Sequence, residues 1–209
     1  IGSGLVGSEM CIRDSYNGPE CGASAPDHMH FQAAGKEESL STPFFKDFLN
    51  DIIEQTDFDD VPAIVNSYTN NTFITSIGLA SILRSELIEK FENIYNILST
   101  FYGKEPLINI IAWYAIDSTK HGEDDEVVAW NCVIFLRSKH RPDCYYNQGE
   151  KGLLISPAVA EMGGVFPIIR EEDMDKLNTK EIIDIYKEIS LSPEQFETLC
   201  DELFRKDEV

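Results

Sequence analysis

Residues Leu107–Leu136 read LINIIAWYAIDSTKHGEDDEVVAWNCVIFL, two apolar runs on either side of the charged stretch STKHGEDDE. β-branched and aromatic residues dominate both runs, and a short charged connection between them predicts an antiparallel hairpin. His121 falls in the connection, where a solvated tip residue is expected. The first run, Leu107–Ile116, has about half of the ~20 apolar residues that a membrane helix needs, so no span is predicted.

Downstream, the second run leads into Arg137–Pro142, RSKHRP, an unusual gathering of cations in an acidic chain. If the strand continues, Arg137, Lys139 and Arg141 share a face on which phosphate oxygens can be bound, arginine by a planar fork and lysine as a point charge. The competing expectation is a solvated strand end paired with surface carboxylates. His140 points the other way, and its role is left open. A third strand is predicted over Gly152–Ala158, followed by a glycine turn at Gly163-Gly164 and the run Val165–Ile169. Asn178 with Glu181, and Ser192 with Gln195, have capping-box spacing and predict C-terminal helices that cover a sheet.

Upstream, Leu83, Leu87, Phe91, Ile94, Tyr95 and Leu98 recur at helical spacing, which predicts a long helix over Ile82–Phe101 closed by Gly103. Short β-rich runs flank Asn70-Asn71 between Ala63 and Gly78. A further helix is predicted from Thr42-Pro43 to about Gln55, and TDFDDVP, Thr56–Pro62, is read as an acidic solvated linker. Strands and helices in separate runs place the chain in the α+β class, an antiparallel sheet with covering helices.

The 209 residues include 37 acidic and 17 basic ones, for a formal net charge of -20. Most of such a surface repels nucleic acid and anionic membranes. A small anionic substrate remains possible where cations gather locally. Five cysteines, Cys11, Cys21, Cys132, Cys144 and Cys200, are scattered without paired short spacing. They fit reduced thiols and a cytoplasmic protein rather than a disulfide frame or zinc ribbon.

Asn17–Gln32, NGPECGASAPDHMHFQ, is the stretch that carries chemistry. On a strand, His28, His30 and Gln32 form one row, with Met29 and Phe31 on the other face. Gly22, Ala23 and Ser24 are expected to offer backbone N–H groups to phosphate oxygens, with the Ser24 hydroxyl as a further donor. Near neutral pH an imidazole can attack phosphorus through one nitrogen while the other fixes the tautomer. Gln32 can donate to a non-bridging oxygen but cannot shuttle protons as a third histidine would, which favours transfer over hydrolysis. Two histidines on one strand face also make a metal pair, which Asp27 or a distant carboxylate would complete in a metallohydrolase. A non-catalytic nucleotide-binding module is the third possibility.

His-x-His-x-Gln behind a Gly-Ala-Ser loop resembles the histidine-triad superfamily in its transferase branch, which holds galactose-1-phosphate uridylyltransferase, dinucleoside polyphosphate phosphorylases and GDP-galactose phosphorylase. HMHFQA, His28–Ala33, is most similar to the last of these, and the remaining chain resembles a bacterial family of unassigned function. The resemblance implies that His30 is the nucleophile, His28 its support, Gln32 the ligand of the transferred phosphoryl group, and Ser24 that of a neighbouring phosphate. It implies a nucleoside diphosphate sugar or dinucleoside polyphosphate as substrate and a phosphate-bearing acceptor; no redox or organic cofactor is implied, and no residue is assigned as a metal ligand. In the uridylyltransferase pattern proline directly precedes the first histidine, whereas Asp27 separates Pro26 from His28 here.

Residues Ile1–Ser15 lack both a signal-peptide pattern and a regular period, and resemble a translated adapter sequence. Three parts are therefore expected: a non-native segment over 1–15 with no structural role, the C-terminal remnant of a catalytic histidine-triad-like lobe over 16–62, and a largely complete second lobe over 63–209.

Overall fold

The computed structural model describes residues 12–23, 31–35, 66–67, 74–117 and 127–204. Six strands form one antiparallel sheet in the order β2-β1-β5-β6-β4-β3. They are β1 (Ile12–Asn17), β2 (Phe31–Gly35), β3 (Asn66–Ser67), β4 (Ile74–Ser81), β5 (Ile108–Asp117) and β6 (Val127–Leu136). The α-helices among the described residues are α1 (Arg84–Tyr102), α2 (Asp143–Tyr146), α3 (Val159–Met162), α4 (Glu171–Met174), α5 (Thr179–Ile189) and α6 (Pro193–Phe204). This is the α+β architecture expected from the sequence, an antiparallel sheet with covering helices.

The β5–β6 hairpin is the centre of the sheet, paired in register from Ile108 opposite Leu136 to Asp117 opposite Val127. Its side chains alternate between two cores. Ile111, Trp113, Val133 and Phe135 point to one face, where Leu153, Ile155, Val159, Met162 and the α5 residues Ile185, Tyr186 and Ile189 cover them. Ile108, Cys132, Ile134 and Leu136 point to the other, beneath Ile94 and Leu98 of α1 and Phe196 and Leu199 of α6. Each fully buried aliphatic side chain contributes roughly 1.5–3 kcal/mol relative to exposure, so a hairpin buried on both faces is the main source of cohesion.

Helix α1 starts where the Ser81 hydroxyl accepts the Leu83 N–H and bonds Glu86, and it ends at Gly103, whose φ of 63° closes the last turn. Leu83, expected at the head of the apolar stripe, precedes the helix and is exposed. Asn178 Oδ1 accepts the Lys180 and Glu181 N–H groups at the start of α5. Ser192 and Gln195 form a reciprocal cap at α6, the Ser192 Oγ accepting the Gln195 N–H and Gln195 Oε1 the Ser192 N–H.

Two expectations are corrected. Ile12–Ser15 does have a structural role: within β1 it pairs with β2 on one side and with β5 on the other. A polar strand paired on both sides needs backbone ladders rather than an apolar period, which is why no periodicity announces it. Gly152–Ala158 is extended and turns Leu153 and Ile155 into the core, but forms no strand. Its backbone groups have other partners: the Leu153 N–H donates to Cys144 O, the Leu154 N–H to Asp173, and Pro157 O accepts from Arg137.

The helix expected from Thr42 to Gln55, the Asn70-Asn71 turn and His121 lie outside the described residues. So does the boundary expected between residues 62 and 63, and strands from both sides of it share the one sheet.

Candidate functional site

Asn17 ends β1 directly opposite Asn109 at the start of β5. Asn109 Nδ2 donates to Asn17 Oδ1 at 2.6 Å and to Cys21 O at 2.9 Å, and Asn17 Oδ1 also accepts the Val159 N–H at the start of α3. The chain between them turns tightly: the Gly18 N–H donates to Ile108 O, and the Cys21 N–H returns to Gly18 O. A side chain at Gly18 would meet Ile108 O at 2.9 Å. Cys21 is buried, and burial pushes its thiol up to about 12, so it stays protonated and inert.

Arg137 closes this network from the β6 side. Its Nη1 donates to Asn109 Oδ1 and to Pro157 O, each at 2.8 Å, and its Nη2 to His140 O at 2.9 Å and Lys139 O at 3.3 Å. The side chain is fully buried. Burial pulls the guanidinium down to about 10, partly opposed by Cys21, Glu161 and Tyr102, and it remains charged at neutral pH. The cation is solvated by carbonyl and amide dipoles.

The loop's next residue, Gly22, has φ 77°, a backbone conformation that side chains rarely adopt. An added Cβ would stand 1.9 Å from Pro157 O. Its N–H donates to His140 Nδ1 at 3.1 Å, and its carbonyl accepts from the Ser156 hydroxyl at 3.2 Å. Ser156 Oγ in turn accepts Arg141 Nε at 2.7 Å, while the Arg141 guanidinium lies over the Tyr145 ring, 4.4 Å from its centroid. An imidazole nitrogen that accepts an N–H carries a lone pair, so this geometry calls for neutral His140 protonated at Nε2. Burial first, then the charges of Arg141 and Arg137, hold its pKa below the ordinary value of 6.5, opposed by Glu20.

The cation cluster is therefore placed beside the small-residue loop, though not as a strand face. β6 stops at Leu136, and Arg137 makes only an isolated bridge to Ser190. The expectation that Arg137, Lys139 and Arg141 share a face is corrected accordingly. Arg137 is turned inward beneath the loop, with no exposure to a ligand. Lys139 pairs with Asp143 and Glu188, as the competing expectation had it. Arg141 is half-buried, held by its Nε on Ser156 and by the Tyr145 ring beneath its guanidinium. The donor expected of Gly22 is likewise corrected, since His140 takes its N–H; Ala23 is buried beside it.

Gln32 is exposed on β2, opposite Ser15, which lies opposite Ile111. Opposed residues of an antiparallel pair share a face, so Gln32 lies on the face that carries Asn109 and Arg137. Ser24, His28 and His30 lie outside the described residues. Asn17, Asn109 and Ser156 were not singled out from the sequence. Asn109 did leave a signal there, a lone amide inside the apolar run LINIIAWYAI.

Residues 9–35 match the model of a domain of unknown function, DUF4922, and residues 129–207 match that of a GDPGP1-like C-terminal domain. The second match fits the resemblance to GDP-galactose phosphorylase drawn from the histidine motif. No curated protein matches the chain, and no solved structure does. The Gly22–His140 contact joins the two matched stretches.

Proposed function

We propose that the chain carries a nucleotidyltransfer site, acting as a transferase or phosphorylase on a nucleoside diphosphate sugar or dinucleoside polyphosphate. The observation that carries this reading is the docking of His140 and of Ser156, which Arg141 bonds in turn, onto Gly22 of the loop that leads to the histidine motif; all three lie within the GDPGP1-like stretch.

In the proposed reaction His30 attacks the α-phosphorus, the bond from that phosphorus to the bridging oxygen breaks, and the sugar phosphate or nucleotide leaves with the electron pair. Inorganic phosphate or another phosphate-bearing acceptor then displaces the histidine and takes the nucleotidyl group. His28 supports the nucleophile, Gln32 donates its amide N–H to a non-bridging oxygen, and Ser24 and the Arg141 Nη groups serve neighbouring phosphates. Arg137 holds the loop from below and touches no phosphate. Fixed donors and cations placed where charge develops supply most of the acceleration in chemistry of this kind. The four described cysteines are free, in keeping with a reducing compartment.

Incubation with a nucleoside diphosphate sugar tests the reading. Intact-mass analysis is expected to show one nucleoside monophosphate added, mapped to His30 by peptide sequencing. Loss of a covalent nucleophile commonly costs on the order of a million-fold in rate, so His30→Ala is expected to form no adduct and to turn over negligibly. Wild-type turnover in His30→Ala would exclude the assignment.

A further inference from the structure

We propose that His140 is a positioning residue for this transfer: its neutral imidazole, by accepting the Gly22 N–H, holds the loop in its reactive pose, and protonation releases it. The inference rests on the reading given above and adds a residue and a condition to it.

Three side chains bond the backbone at the described end of the loop: Asn109 at Cys21 O, Ser156 at Gly22 O, and His140 at the Gly22 N–H. The first two are neutral and do not titrate near pH 7. The third requires a lone pair on Nδ1, and an imidazolium has none, so protonation sets one N–H against another. Gly22 has little room to adjust, with Pro157 O pressed against its Cα and its φ already positive.

The charged groups around the ring are few. Arg141, its neighbour, and Arg137, whose Nη2 bonds the His140 carbonyl, both oppose a positive imidazole. Glu20 favours one through its carboxylate and its backbone, but that carboxylate is paired with Lys104. Neutrality therefore prevails at pH 7, and the ring charges on acidification with a midpoint below the ordinary 6.5. With Nδ1 taken by the loop backbone, His140 acts through Gly22.

The full chain, labelled with nitrogen-15, gives the test two separate readouts. In the free protein the Gly22 amide resonance is expected to move with the same midpoint as the His140 ring resonance, below 6.5. In His140→Asn, whose Oδ1 can accept the same N–H, that movement disappears. Misplacing a site by small distances commonly costs ten- to a hundredfold. His140→Leu, provided it melts like wild type, is therefore expected to form the nucleotidyl adduct at least about tenfold more slowly at pH 7 and to converge on wild type below the His140 midpoint. At pH 7 His140→Asn is expected to stay within about threefold of wild type and to lose the fall in rate that tracks the His140 ring titration. A Gly22 resonance that ignores His140, or a His140→Leu rate equal to wild type at pH 7, overturns the proposal. Should wild type itself form no adduct, the nucleotidyltransfer reading fails, and the Gly22 titration alone still decides whether His140 holds the loop.

Discussion

Arg137 Nη1 and Asn109 Oδ1 stand 2.8 Å apart in the interior, and through this contact the end of β6 is joined to the end of β1. Asn109 is the hub: one amide accepts from Arg137 and donates to Asn17 and to Cys21. The strand ends that position the loop are thus fixed by a polar row lying across the sheet. The Asn109 amide and both Arg137 Nη groups have their partners inside the protein, the condition under which buried polar groups are tolerated, while Arg137 Nε is buried without one.

Arg137→Leu is expected to destabilise the protein by about 3 kcal/mol or more, because several buried acceptors lose a charged donor at once. Arg137→Lys should recover only part of this, since an ammonium cannot reproduce a fork that spans Asn109, Pro157, Lys139 and His140. Urea denaturation at neutral pH measures both. A change under about 1 kcal/mol for Arg137→Leu would mean that dehydrating the guanidinium cancels its bonds.

Gly22→Ala is expected to cost more than the roughly 1 kcal/mol of a left-handed alanine. The methyl group would meet the Pro157 carbonyl, a backbone atom that cannot rotate away. The Gly22 bonds to His140 and Ser156 would open with it. Thermal melting checks the stability, and the Gly22-to-Pro157 contact is checked by nuclear Overhauser effects. Wild-type stability with both bonds intact would count against the packing described.

Asp173 should dominate the acid limb of the stability curve. It is buried, accepts Arg170 Nε at 2.8 Å and the Leu154 N–H at 3.0 Å, and pairs with Lys176. The Arg170 hydrogen bond, helped by Leu154 and Lys176, holds its pKa below 3.8 against the opposing effect of burial. The folded state therefore binds fewer protons than the unfolded chain. The contribution is complete above the unfolded value of about 4 and is lost as pH falls through the lower folded value. Melting temperatures measured down this range should fall more steeply for wild type than for Asp173→Asn. Parallel curves would remove Asp173 as the cause.

The sequence made some elements readable and others opaque for physical reasons. The hairpin and α1 were legible because long apolar patterns have a period, and the α5 and α6 starts because Asn178 and Ser192 satisfy helix N–H groups locally. Leu153 and Ile155 do alternate inward, but alternation says only which way side chains point; strand pairing depends on what the backbone of 152–158 meets elsewhere. For the candidate site, the motif singled out Gln32 and the loop, and the unusual density of cations singled out the segment whose His140 packs against that loop. Which of those cations turns inward was not legible. Arg137, Lys139 and Arg141 have the same spacing whether or not β6 continues; Arg137 keeps to the face of Val133 and Phe135, and the end of β6 at Leu136 is what separates Lys139 and Arg141 from it.

The Asn17–Asn109 pair has a consequence for how β1 finds its place. A strand with an apolar face is held in register because a one-residue slip exposes that face; β1, reading IRDSYN, has no such guard. Slipped by one residue, it would offer Asn109 the Tyr16 side of the strand and turn the Asn17 amide away from both Asn109 and the Val159 N–H. The two amides thus work as a registration key. They select one alignment out of several that the main-chain ladder would accept, and with it the point at which the chain leaves the sheet to enter the loop.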